Sequence, residues 1–110
     1  MSSDSKLEKL RKVSQGVKRL VLDVLKPYQP TLLEIALHLG STQSVEELNI
    51  ALVEVNHNTK NLRVTIEGDA IELNRVEKAV KDCGASIQSV DEVVVRKGFV
   101  KKASKQKVLA

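Results

Sequence analysis

Apolar residues recur along this chain with two different periods, and the switching between them lays out a fold. From Val17 to Lys26 the period is two: Leu20, Leu22 and Val24 point one way, Val21, Asp23 and Leu25 the other. Both sides are largely aliphatic, which suits a central strand covered on each face. Pro27 stops it, and the stiff connection Lys26-Pro27-Tyr28-Gln29-Pro30 leads to Thr31, a side chain suited to capping a helix. Leu32, Ile35, Ala36 and Leu39 then recur at offsets of three, four and seven. That spacing predicts one buried helical stripe, ended by Gly40 in a left-handed cap.

Val45 to Val55 reads as a second strand, with Leu48, Ile50 and Leu52 on one side and Ala51, Val53 and Val55 on the other. The run from Asn56 to Asn61 is a polar turn whose Asn residues tolerate positive φ. Leu62, Val64 and Ile66 alternate with Arg63, Thr65 and Glu67, a half-buried strand that Gly68-Asp69 breaks. Residues 71–83 predict a second helix, with Leu73, Val76, Val80 and Cys83 on its stripe and Gly84 as its stop. Ile87 to Val95 predicts the fourth strand. The order β-α-β-β-α-β with right-handed crossovers implies an α+β, ferredoxin-like sandwich: a four-stranded antiparallel sheet ordered 4-1-3-2, both helices on one face.

Charge divides the chain into three. Residues 1–19 carry six Lys/Arg and two acids, residues 96–110 six Lys/Arg and no acid, and residues 20–95 six bases against twelve acids. The expected organisation is a basic arm or short helix at 1–16, where Leu7, Leu10 and Val13 have loosely helical spacing, a domain at 17–96, and a basic flexible tail at 97–110. No apolar run serves as a signal peptide or spans a bilayer, and the single Cys83 forms no intramolecular disulfide. These features favour a soluble cytoplasmic protein with no membrane partner.

The chain offers little catalytic chemistry. Val13-Ser14-Gln15-Gly16-Val17-Lys18-Arg19 resembles the phosphate-cradling loop of acylphosphatases, but it precedes the first strand instead of following it. The loop in the right place, 26–30, has two prolines without N–H donors. His38 and His57 lack a second ligand at metal-binding spacing, and Cys83 reads as a core thiol. Asp23 is more informative, because it interrupts a central strand near Thr65 or Glu67 of its neighbour. A carboxylate there pairs with a base such as Arg63, the favoured reading, or binds a hard divalent cation such as calcium or magnesium, with Asp23 and Glu92 as the ligands. Val21, Leu25, Ala51, Val53 and Val55 give the face away from the helices more apolar area than a wet surface needs, which predicts a homo-oligomer by sheet stacking or by joining strands two and four. Lys97, Lys101, Lys102, Lys105 and Lys107 could neutralise phosphates. The central strands lack the aromatic platforms of RNA-binding domains, so nucleic-acid binding would be nonspecific.

Over residues 17–96 the sequence resembles the archaeal family catalogued as domain of unknown function 211. The resemblance rests on Arg19-Leu20-Val21-Leu22-Asp23-Val24-Leu25-Lys26-Pro27 with Pro30 beyond, on Val64-Thr65-Ile66-Glu67-Gly68, and on Ile87-Gln88-Ser89-Val90-Asp91-Glu92-Val93-Val94. It implies a ferredoxin-like domain of archaeal cytoplasm that assembles into ring-like oligomers and has no assigned activity. Asp23, Lys26, Asp91 and Glu92 fall on the family's polar motif positions, so a shared ligand site would draw on them. Tyr28 stands where the family pattern has a His, and the basic arms lie beyond the resemblance. The expectation is a noncatalytic oligomeric domain, a scaffold or a binder of a small ligand or cation between subunits. The alternative is a nonspecific nucleic-acid binder working through its arms.

Overall fold

The computed structural model describes residues 16–96. Its elements are β1 (Val17–Pro27), α1 (Leu32–Gly40), β2 (Val45–Val55), β3 (Thr59–Gly68), α2 (Leu73–Asp82) and β4 (Ser86–Val95). All neighbours in the sheet are antiparallel and the order is β2-β3-β1-β4, the ferredoxin-like arrangement. Leu20, Leu22 and Val24 of β1 and Leu62, Val64 and Ile66 of β3 share one core with Ile35 and Leu39 of α1 and Val76, Ala79 and Val80 of α2. Both helices therefore cover the same side of the sheet.

Local chemistry sets the boundaries. The Thr31 hydroxyl accepts the Glu34 N–H at 3.2 Å, and the Glu34 carboxylate accepts the Thr31 N–H at 2.7 Å, a reciprocal cap. Gly84 has φ +74° and closes α2 as expected. Gly40 does not close α1 that way: it is the last helical residue, Ser41 is the cap at φ −86°, and the chain turns through Ser44 at φ +77°. The Ser44 carbonyl, which accepts the Asp69 N–H at 3.2 Å, ties that turn to the end of β3. The Asn-rich turn needs no left-handed residue either; the Asn56 N–H donates to the Thr59 carbonyl at 2.8 Å and β3 begins at once.

Bulges displace residues from the side that strict alternation gives them. The register between β2 and β3 shifts between Leu52 and Glu54, so Glu54 faces Asn61 and Val55 faces Lys60. Val55 thus belongs to the helix side, not to the open face, and Val53 is the inserted residue. In β4 the inserted residues are Gln88 and Asp91, which leaves Ile87, Val90 and Val93 beside the helix-side residues Val24, Leu22 and Leu20. The helices are about 14–15 Å long against strands of about 33–36 Å, so helix-side residues on the outer strands outrun their cover. Leu52, Val55, Val90 and Val93 are consequently exposed. On α1, Leu32 is exposed along with Leu33 and Leu37, so the predicted stripe holds only for Ile35 and Leu39 with half-buried Ala36. Leu73 of α2 is likewise exposed.

Candidate functional site

The four residues singled out from the sequence do not form one site. Asp23, Asp91 and Glu92 belong to the open side of the sheet, whereas Lys26, an even step along β1, lies on the helix side. Asp23 is half-buried, with Arg63 opposite on β3 and Ser89 opposite on β4. Among the described residues it makes no ion pair, so the expected pairing with Arg63 is a cross-strand juxtaposition only. Thr65 is its diagonal neighbour; Glu67 lies one step further, opposite Arg19. Asp91 accepts the Ser89 hydroxyl at 2.7 Å.

Glu92 is engaged elsewhere, by a residue that sequence reasoning missed. Arg19 donates from Nη1 to the Glu67 carboxylate at 2.9 Å, and its Nε lies 3.5 Å from Glu92 Oε2, close enough for an ion pair but without hydrogen-bond geometry. One guanidinium thus spans three strands. Glu92 sits opposite Val21, and the chain Glu67–Arg19–Glu92 passes beside it, which explains why Val21 is only 6% exposed outside the core. The signal for this clamp was a cation at the head of an aliphatic run, but its partners depend on a register that the bulges conceal.

At the other end of β1, Lys26 is 1% exposed. Its Nζ donates to the carbonyls of Pro27 at 2.6 Å and Tyr28 at 3.1 Å. In a loop with two prolines, the ammonium supplies donors that the backbone lacks. Burial, then the neighbouring Lys60 ammonium, pushes the Lys26 amine below its ordinary value, with Glu34 acting in the opposite direction. Tyr28 donates from its hydroxyl to the Asn56 carbonyl at 3.2 Å, and Lys60 lies over its ring at 5.0 Å. These contacts latch the 26–30 loop to the β2–β3 turn. This is a structural use of the lysine.

Among the described residues no three His, Cys, Asp or Glu side chains group to hold a metal ion. His38 and His57 are exposed; Cys83 is half-buried, and burial raises its thiol pKa. Lys97, Lys101, Lys102, Lys105 and Lys107 lie outside the described residues. No helix of the described residues is long and apolar enough to cross a membrane.

Residues 18–108 match the profile of domain of unknown function 211, described as uncharacterized ArCR. The match takes in most of the C-terminal basic stretch. An uncharacterized protein of Methanocaldococcus jannaschii is 36% identical over 85 residues, covering 77% of this chain and 88% of the relative. Neither description names an activity, a ligand or a partner.

Proposed function

This chain belongs to the family domain of unknown function 211, and from that premise we propose that it is a noncatalytic, self-assembling cytoplasmic domain that acts as a scaffold or holds a small ligand or cation between subunits. The observation that carries this reading is aliphatic surface left open on both sheet edges: Leu52, Val53 and Val55 on β2, and Val90, Val93, Val94 and Val95 on β4. Scattered single apolar residues on a surface are ordinary, but rows of them on unpaired strands are an association hazard unless a partner covers them. A second copy is the partner always present at matching concentration. Light scattering on a gel-filtration peak at micromolar protein tests the reading, and a monomer rejects it.

The ligand half of the proposal draws on Asp23 and Asp91, which have no cationic partner among the described residues, while Glu92 shares Arg19 with Glu67. Two carboxylates on one face fall short of the six to eight oxygens that calcium takes, so a second subunit would have to complete the shell. Calorimetric titration with calcium and with magnesium, on wild type and Asp23→Asn, is the measurement; no heat in either protein removes the cation. The segregation of twelve acids into residues 20–95 and of basic residues into both ends supports the second reading, electrostatic binding of nucleic acid. Binding that survives deletion of residues 1–15 and 97–110 would count against it.

A further inference from the structure

We propose that β2 of one copy pairs antiparallel with β4 of the next, in the register that sets Val93 beside Ile50 and Arg96 opposite Glu47. This rests on the self-assembly reading and names its surfaces. In the order β2-β3-β1-β4 every neighbour is antiparallel, so the two edge strands themselves run in opposite directions. Copies placed side by side in one orientation therefore present β4 antiparallel to β2 without inversion. The edges also match in length, 11 residues in β2 and 10 in β4.

Side-chain rows and charge select the register. Between its bulges β2 runs regularly from Glu47 to Leu52, and β4 runs regularly from Glu92 to Val94. Ile50 and Val93 both lie on the helix side, opposite Val64 and Leu20 within their own protomer. Setting them side by side brings Asn49 opposite Val94 and Leu48 opposite Val95, each pair on a common face. The next step brings Glu47 opposite Arg96, both on the open face. Glu47 needs such a partner: its neighbour across β3 is Glu67, a like charge already taken by Arg19. Neither Glu47 nor Arg96 makes an ion pair among the described residues. Two-fold alternatives lose this match. Pairing β2 with itself about its middle sets Glu46 or Glu47 opposite Glu54 of the other copy, carboxylate against carboxylate. Pairing β4 with itself about Val94 sets Arg96 opposite Glu92, which already lies beside Arg19, and leaves Glu47 without a cation.

The test uses full-length single-cysteine variants, Asn49→Cys and Val94→Cys, each made in a Cys83→Ala background. Both sites are exposed, and neighbours in an antiparallel ladder come within disulfide reach. On mild oxidation a mixture of the two forms a mixed disulfide, and each variant alone stays uncross-linked. Cross-linking of Val94→Cys alone or of Asn49→Cys alone assigns a two-fold edge and overturns the proposal. Oligomers by light scattering with no cross-link in any combination overturn it while leaving self-assembly intact; a monomer overturns both. Glu47→Lys and Arg96→Glu each weaken association about threefold to tenfold, and the double variant restores it. A double variant no stronger than the singles refutes the register.

Discussion

The central strands β1 and β3 and the edge strands β2 and β4 are built from the same aliphatic alphabet, yet they meet opposite fates. Leu22, Val24, Leu62 and Val64 are sealed from water, whereas Val93 and Val53 are 51% and 56% exposed. Composition does not separate the two pairs. Position under the helices does: a turn-limited α1 of nine residues and an α2 of ten shelter the middle of the sheet and leave its margins bare. The centre is thus covered by the protomer itself, and the margins are where the proposed self-association would act.

The largest effect belongs to the centre. Leu22→Ala removes a fully buried side chain from the core between β1 and the helices, and is expected to cost about 2–5 kcal/mol in urea-induced unfolding. A loss below about 1 kcal/mol would mean that the centre is not packed as described. The junction between centre and edge comes next. A Cβ on Gly68 would strike the Ser44 carbonyl oxygen, backbone that cannot swing away. Gly68→Ala should therefore destabilise by about 1–3 kcal/mol and loosen the start of β2, read as faster amide exchange at Val45 and Glu47 than at β1. Uniform exchange across both strands would deny the junction its separate role.

How much of this was legible in the sequence follows the same division. The central strands announced themselves because alternation is unbroken from Leu20 to Val24 on β1 and from Leu62 to Ile66 on β3, and strand order followed from connectivity. The edges did not. A bulge adds one residue in space without any mark that a two-residue period can display, so strict alternation puts Val55 on the wrong face. β4 does carry a trace: Ile87, Val90 and Val93 recur every three residues, the spacing that two bulges impose. In α1 apolar residues at Leu32, Leu33, Ile35, Ala36, Leu37 and Leu39 surround the axis, so no stripe could be singled out securely. Of the candidate site, the residues on β1 and β4 were visible as polar interruptions. Their partners were not, since Arg19 meets Glu67 and Glu92 only through the register, and Lys26 serves loop carbonyls that no pattern exposes.

Lys26 gives the comparison a pH axis, because among the described residues it is the one charged group buried at the margin of the core. Its folded-state pKa is lowered, by burial first and by Lys60 second. Between that lowered value and the unfolded value of about 10.4, the unfolded chain binds more protons, so stability rises with pH. The handicap is full below the folded pKa and gone above the unfolded one. Relative to Lys26→Met, wild type should therefore gain stability as pH is raised from neutrality through that window. Parallel stability curves for the two proteins would show that the ammonium carries no burial cost.

The smallest effect is the sharpest discriminator, because it applies one substitution to both regions. Val→Thr keeps the shape and exchanges a methyl for a hydroxyl. At Val64 the hydroxyl enters a sealed site between β1 and β2 and should cost about 1–3 kcal/mol for a polar group without water. At Val93 it stays in solvent within the protomer, and at a dilution where the chain is monomeric the change should fall within about 0.5 kcal/mol. The same Val93→Thr, measured where wild type associates, should shift the equilibrium toward smaller species, since Thr leaves the edge's β-propensity intact and removes only its apolar contact. Equal costs at Val64 and Val93 in the dilute state would mean that the β4 margin is already covered by the protomer itself, and the distinction between a private centre and a shared edge would fail.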